Sequence, residues 1–258
     1  MIIDVNTYIG HWPFKKIRNN TAEELVQQMD KSEIDKAIVS NFNSIFYKDT
    51  QEGNIELINE IKAYSERLIP LAIINPTYPG WKKDFLTCID GFKMKGLELY
   101  PYYHNYKLTD EVSLELLNLA AEKKIPVHLP CAVENIRQKH WMDTSENLNI
   151  EQVKEVLRLC PEVDFIITNG PTLSYARKLK EVIENRKGKV YYDFSRVELF
   201  ESYFEALLEI AGVDRIVFSS QLPFQYVDTQ FVKLYFSNLA QNEKNKILSQ
   251  NLKTLFQI

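Results

Sequence analysis

The sequence predicts an α/β protein that folds as a single-domain (β/α)₈ barrel. Short runs rich in Ile and Val alternate with longer segments of helical period along the whole chain, a pattern typical of βα units around a parallel sheet. Eight strand candidates are found within 258 residues, the usual size of such a barrel. No linker or change of composition divides residues 1–258, and we therefore expect one domain.

The candidate strands are short apolar segments, and the candidate helices lie between them. Runs such as LIPLAII, DFIIT and RIVFSS are almost continuously apolar, as expected for strands buried on both faces. The predicted strands are Ile2–Val5, Lys36–Ser40, Leu68–Ile74, Gly96–Tyr100, Pro126–Leu129, Asp164–Thr168, Val190–Asp193 and Arg215–Ser219. The predicted helices are Thr21–Lys31, Asn54–Glu66, Trp81–Cys88, Val112–Lys123, Ile150–Leu159, Leu173–Asn185 and Leu199–Ala211. The stretch FVKLYFSNLA is expected to be an eighth helix or an interface.

A doubly wound open sheet would produce the same alternation from fewer strands. The glycine-rich signatures GxGxxG and GxxxxGK, which cradle nucleotide phosphates, follow none of the predicted strands. Nucleotide binding, the commonest function of an open sheet, is therefore not indicated, and the closed barrel is favoured.

Composition excludes several classes of protein. Apolar residues make up 45% of the chain and charged residues 26%, and the formal net charge is −4, so we expect a soluble protein that does not bind nucleic acid. The three cysteines, Cys88, Cys131 and Cys160, form no CxxC pair, which argues against a disulfide framework or a cysteine zinc site. The sequence has no signal-peptide pattern and no apolar run of about 18 residues, so we expect a cytoplasmic location away from membranes.

Polar side chains follow every predicted strand, at the end of the barrel where enzymes of this fold carry their chemistry. They are Asn6, Tyr8, His11, Trp12, Asn41, Asn43, Asn75, Tyr100, Tyr102, Tyr103, His104, Glu134, Arg137, His140, Asn169, Asp193, Arg196, Glu198 and Gln221. His128 differs from these, because period-two alternation places it inside strand five, on the face of Pro126 and Pro130. We expect His128 to be a hydrogen-bonded core residue.

Two local runs contain groups suited to proton transfer. In YPYYHNY, His104 lies among four tyrosines after strand four, where an imidazole could face a substrate. In VENIRQKHW, Glu134, Arg137 and His140 recur every three residues and would share one side of a helical turn. We take His104 and His140 as candidate proton carriers and Glu134 or Asp193 as the orienting carboxylate. A packed strand end and a solvated turn are the respective alternatives.

Basic side chains near the predicted barrel mouth indicate an anionic substrate. Arg137 offers a two-pronged contact to a carboxylate, and HWPFKKIR adds Lys15, Lys16 and Arg18. The alternative is a solvated surface loop. Aromatic walls for the substrate would come from four residues, although ordinary loop packing is also consistent with them: Trp12, Phe14, Trp141 and Phe224.

The sequence resembles the amidohydrolase-related family of metal-dependent (β/α)₈ hydrolases and decarboxylases. The matching segments are IDVNTYIG at strand one, GLELYPYY at strand four, IPVHLP at strand five, FIITNG at strand six and IVFSSQLPF at strand eight. They occur in the family's order and span the chain. The resemblance implies a barrel with a divalent metal at its mouth.

The metal ligands that the resemblance implies are nevertheless missing. The family uses two histidines in DxHxH, histidines after strands five and six, and an aspartate in SDxP. Those positions carry Asn6, Tyr8, Pro130, Asn169 and Gln221 here, with His128 aligned to the strand-five position only after a two-residue shift. Neutral amides and a phenol bind zinc poorly, so we expect no metal or other cofactor.

These observations lead to two main hypotheses. The first is an enzyme that uses metal-free acid–base chemistry, such as hydrolysis, decarboxylation or lactone opening, on a small anionic compound. Its substrate-binding residues would be Asn6, Tyr8, His11, Trp12, Tyr103, Arg137, Asn169 and Gln221. The second is an inactive pseudoenzyme that binds a metabolite or a protein. A metal relocated to Glu134, His140 and Asp193 is a third option, and a homodimer is compatible with each.

Overall fold

Eight parallel strands follow one another in chain order around one sheet. The structure is a computed structural model that describes residues 1–198 and 202–258. The strands are β1 (Ile3–Ile9), β2 (Lys36–Asn41), β3 (Leu68–Ile73), β4 (Gly96–Glu98), β5 (Val127–Pro130), β6 (Phe165–Thr168), β7 (Val190–Asp193) and β8 (Ile216–Val217). The sheet closes because Val5 N donates to Phe218 O at 3.0 Å and Tyr8 N donates to Leu222 O at 2.9 Å. The predicted (β/α)₈ barrel is confirmed.

Helices surround the barrel. They are α1 (Ala22–Lys31), α2 (Phe42–Phe46), α3 (Thr50–Glu60), α4 (Trp81–Leu86), α5 (Pro101–His104), α6 (Glu111–Glu122), α7 (Ile150–Leu159), α8 (Thr172–Ile183), α9 (Tyr203–Ala211), α10 (Asp228–Phe236), α11 (Gln241–Asn245) and α12 (Asn251–Phe256). Each predicted helix has a counterpart, and the start of the predicted segment Leu199–Ala211 lies outside the described residues. The helices α2 and α5 are too short for periodicity to reveal. In the part of the chain that the structure describes, no helix has the length and apolar content to cross a membrane.

The first strand is longer than predicted, and this difference positions the site. The sequence predicts that the strand ends at Val5, whereas β1 continues to Ile9 with a register shift between Asp4 and Thr7. Such a bulge bends a strand and redirects its side chains. As a result, Asn6 and Tyr8 belong to the barrel wall instead of to a loop.

The barrel interior changes from apolar to polar along the strands. Its lower part is filled by inward side chains and by three residues of α12: Ile3, Val5, Ile38, Ile69, Leu71, Ile166, Tyr191, Val217, Leu252, Leu255 and Phe256. Gly96 leaves room for this plug, since a Cβ there would lie 2.5 Å from Leu71 Cδ2. At the next inward position β3 carries the apolar residue Ile73, whereas six other strands or strand ends carry buried polar residues: Ser40, Glu98, His128, Thr168, Asp193 and Ser219. The polar part of the barrel interior therefore lies next to the carboxyl ends of the strands.

Candidate active site

A chain of hydrogen bonds connects four side chains at the strand ends. Asn6 Nδ2 donates to Asn169 Oδ1 at 2.6 Å and to Ser219 Oγ at 3.3 Å, and Asn169 Nδ2 donates to Tyr8 OH at 3.0 Å. All of these residues are buried, and Asn169 adopts a left-handed backbone conformation that asparagine tolerates. Burial raises the pKa of Tyr8 well above its ordinary value, so its hydroxyl stays protonated. The structure thus brings Asn6, Tyr8 and Asn169 together.

Arg196 lies beside the fourth predicted residue of this group, Gln221. Arg196 Nε donates to Gln221 Oε1 at 3.2 Å, and both Arg196 Nη2 and Gln221 Nε2 donate to Val133 O, at 2.8 and 2.7 Å. Arg196 Nη1 has no hydrogen-bond partner among the described residues. Burial lowers the pKa of Arg196, while the neighbouring Asp193 carboxylate raises it. Sequence reasoning placed Arg196 on the rim without giving it a role.

A cleft of about 400 Å³ opens beside Arg196. Its lining includes two cationic side chains, Arg196 and Lys233, together with the amides of Asn135, Gln138 and Gln225. Glu198 also lines the cleft. Burial lowers the pKa of Lys233 to about 8, and Asp193 raises it, so the amine is mostly charged near neutral pH. Because the Lys233 amine already donates to Phe194 O, Ser195 O and Gln230 Oε1, Arg196 is the cation of the cleft that is suited to bind a small anion.

Asp193 is the last residue of β7, two positions before the cleft residue Ser195. It is fully buried, and its Oδ2 accepts a hydrogen bond from the Ser195 hydroxyl. Its Oδ1 has no partner within residues 1–198 and 202–258. Asp193 thus keeps an open acceptor beside a guanidinium, as a proton acceptor requires.

Glu98 and His128 form a second acid–base pair, deeper in the barrel. They are opposite each other on β4 and β5, each 1% exposed, with His128 Nδ1 3.5 Å from Glu98 Oε1. Neither imidazole nitrogen has a hydrogen-bond partner in the described chain, and neither does Glu98 Oε2. The predicted burial of His128 is confirmed, whereas its ring makes none of the expected hydrogen bonds to the residues that the structure describes. The sequence signal that could have identified Glu98 is a glutamate at an inward-facing position of the strand GLELY.

Aromatic side chains cover the mouth of the barrel. Tyr8 stacks on Phe42 at 4.7 Å, and Trp12 contacts Phe42 at 5.2 Å and Phe224 at 5.5 Å between ring centroids. Tyr103 also contacts Trp12, and its hydroxyl donates to Asp143 Oδ2 at 2.8 Å. Trp12 and Tyr103 thus belong to an aromatic layer that keeps water away from Tyr8.

The remaining predicted residues have separate partners. Lys15 Nζ lies 2.7 Å from Glu134 Oε1, the His140 ring stacks on Phe14, and His11 is exposed. Arg137 is 83% exposed and lies 4.0 Å from Glu198. The segment contains turns instead of a helix, because the Asn135 side chain accepts from Arg137 N at 3.0 Å. The structure therefore does not bring Glu134, Arg137 and His140 to one point.

His104 contacts the protein backbone. Its Nε2 lies 3.0 Å from Ile45 O, and burial lowers its pKa to about 4. The ring is thus neutral near pH 7 and donates from Nε2 to that carbonyl.

The depressed pKa of His104 predicts an acid-sensitive contribution to stability. The unfolded chain takes up this proton near pH 6.5, so the contribution is fully present above that pH and is lost as the pH falls towards 4. Asp4 has the opposite effect, since burial raises its pKa to about 6. We expect the thermal midpoint to fall more between pH 6.5 and 4.5 in the wild type than in His104→Gln, measured by calorimetry. Equal falls would contradict the neutral, buried imidazole.

A family model described as Amidohydrolase matches residues 5–258. The chain belongs to the amidohydrolase family. Among the solved structures, this family member resembles a candidate amidohydrolase from Staphylococcus aureus, with a TM-score of 0.80 and 17% identity over 100% of this chain and 99% of that one. It also resembles 2,6-dihydroxybenzoate decarboxylase from Rhizobium, with a TM-score of 0.74 and 11% identity over 99% of this chain and 98% of that one. A third similar structure is dihydroxybenzoic acid decarboxylase from Polaromonas, with a TM-score of 0.78 and 12% identity over 99% of this chain and 96% of that one. At these identities the likeness concerns the fold. No curated protein matches the sequence.

The donor set of this amidohydrolase-family chain does not fit the family metal. The Polaromonas structure contains bound manganese. Here Asn6 Nδ2, Tyr8 OH and both polar side-chain atoms of Asn169 are hydrogen-bonded to one another, Gln221 contacts Arg196, and Pro130 has no donor side chain. Asn6 Oδ1 has no partner among the described residues, but it is a neutral amide oxygen. Divalent metals in such sites need carboxylate or imidazole donors. Across the described ranges, no three His, Cys, Asp or Glu side chains lie close enough to hold a metal ion, which argues against Glu134, His140 and Asp193 as a relocated site.

Proposed function

We propose that this amidohydrolase-family protein is an enzyme that hydrolyses or decarboxylates a small carboxylate without a metal. The observation that carries the proposal is Arg196, a half-buried guanidinium that lines the cleft and interacts with the Asp193 carboxylate. Within residues 1–198 and 202–258, its Nη1 has no hydrogen-bond partner. Family membership supports an enzyme of this general class. The Rhizobium neighbour is a decarboxylase of 2,6-dihydroxybenzoate, an aromatic carboxylate, which supports the substrate class.

The residues of the site have complementary roles in this proposal. The Arg196 guanidinium binds the substrate carboxylate, since planar N–H donors match its two oxygens. Asp193 accepts a proton during the reaction. The hydroxyl of Tyr8 and the Asn6–Asn169 pair form a polar floor inside the barrel, which is not part of the cleft lining. The aromatic layer lowers the local dielectric and strengthens the contacts of this floor.

A binding protein without catalysis is the second candidate. Tyr8 and Trp12 are at most 1% exposed, so the polar floor is closed from solvent in this conformation. All five family ligand positions have also lost their donors. In this case Arg196 would bind a metabolite in the cleft, and no covalent bond of the metabolite would be formed or broken.

The decisive experiment uses chelator-treated protein and a panel of hydroxybenzoates and of small esters and lactones that carry a carboxylate. Binding is followed by calorimetry, and turnover by release of CO₂ or acid. We expect at least one member to be converted at a rate that added Mn²⁺ or Zn²⁺ does not raise. Activity that requires added metal would contradict the metal-free proposal, and tight binding without turnover would establish the second candidate.

A further inference from the structure

Ser195 is hydrogen-bonded to a carboxylate at the edge of the proposed substrate cleft. Its Oγ donates to Asp193 Oδ2, and Ser195 lines the cleft together with Arg196. A hydroxyl in contact with a base, beside an anion-binding group, is the arrangement of a catalytic nucleophile. We propose that Ser195 is the nucleophile of this enzyme and that Asp193 is its general base.

The backbone of Ser195 is held in place by buried side chains. Lys233 Nζ donates to Ser195 O at 3.1 Å and to Phe194 O at 2.8 Å, and Gln230 Nε2 donates to Ser195 O at 3.3 Å. Both Lys233 and Gln230 are at least nine-tenths buried. A nucleophile fixed in this way needs little rearrangement to attack a bound carbonyl.

A second Asp–Ser contact in the same chain shows what distinguishes Ser195. Ser145 Oγ donates to Asp143 Oδ1 at 2.7 Å, but that oxygen also accepts from Ser145 N, and Asp143 Oδ2 accepts from Tyr103 OH. The Asp143 carboxylate is thus occupied by a local turn. Asp193 has no such backbone contact, and its Oδ1 is open within the described residues. Of these two carboxylates, Asp193 is the one with an oxygen that has no partner among the described residues.

The proposed reaction is the hydrolysis of an ester, lactone or amide that carries a carboxylate for Arg196. Ser195 Oγ forms a bond to the carbonyl carbon, and its proton moves to Asp193 Oδ2. The bond to the leaving alkoxide or amine breaks, and the leaving group takes the proton from Asp193. Water then attacks the acyl group on Ser195, its proton passes through Asp193, and Ser195 regains its hydroxyl as the acid departs. This reaction rests on the proposed function, and it specifies hydrolysis instead of decarboxylation.

The test is covalent labelling of the intact protein with diisopropyl fluorophosphate, followed by peptide mass spectrometry. Attack by Ser195 forms an Oγ–P bond, fluoride leaves, and the proton goes to Asp193. We expect Ser195 to be labelled at least about a hundredfold faster than the matched control Ser145, the usual range for general-base assistance. In folded Asp193→Asn the rate at Ser195 should fall by a similar factor.

Equal labelling of Ser195 and Ser145, or no adduct on Ser195, would overturn the assignment. The comparison within the wild-type chain is sufficient even where Asp193→Asn fails to fold. Carboxylate binding by Ser195→Ala distinguishes the proposed nucleophile from the proposed function. If this variant still binds a carboxylate and Ser195 of the wild type is not labelled, the role of Ser195 as nucleophile is refuted and the proposed carboxylate substrate is not. A labelled Ser195 in a chain that binds no carboxylate would support the nucleophile and refute the anionic substrate.

Discussion

Replacing His128 with Leu is expected to lower the free energy of unfolding by about 3–5 kcal/mol. The substitution leaves the Glu98 carboxylate inside the barrel without the imidazole that now lies 3.5 Å away. Neither group has another partner among the described residues, so no hydrogen bond compensates the loss. Urea denaturation followed by circular dichroism measures the change.

The double variant Glu98→Met/His128→Leu is the matched control. It removes both polar groups at similar volume, and buried pairs replaced in this way by apolar side chains often lose no stability. We expect the double variant to regain most of the loss. A double variant as unstable as His128→Leu would mean that packing, and not the unpaired carboxylate, causes the effect.

Replacing Arg196 with Met is expected to weaken the binding of a small carboxylate by about a hundredfold, since charge-assisted hydrogen bonds contribute about 1.5–3 kcal/mol. The sequence predicts this role for Arg137, but the Arg137 side chain is 83% exposed and Arg196 lines the cleft. Calorimetric titration of both variants with the same ligand decides between them. We expect Arg137→Met to change the affinity by less than about twofold, as exposed ion pairs are weak.

Arg196→Lys adds a further check. Lysine keeps the charge but loses the planar fork, so we expect an intermediate loss of about tenfold. Because Arg196 also donates to Val133 O, the thermal midpoint of each variant is measured alongside its affinity. A strong loss in Arg137→Met with a small loss in Arg196→Met would contradict the structural assignment.

The barrel was predictable because its signals are local. Alternating Ile- and Val-rich runs report strands that are buried on both faces, and the positions of β2 and β7 agree with prediction to within one residue. The length of β1 was not predictable, since a bulge depends on pairing with β2 and not on the residues of β1 alone.

Residue identity was sufficient to establish that the family's metal-ligand positions are neutral, because the chemistry of a donor atom is a property of the side chain itself. Which polar residues meet was not accessible in that way. Asn6 and Asn169 are 163 positions apart, and their hydrogen bond exists because the barrel closes. Likewise, Arg137 follows β5 and Arg196 follows β7, and both carry the same charge. Their different burial comes from how the loops fold over the barrel. Contacts between distant segments depend on three-dimensional packing, which no short stretch of the chain encodes.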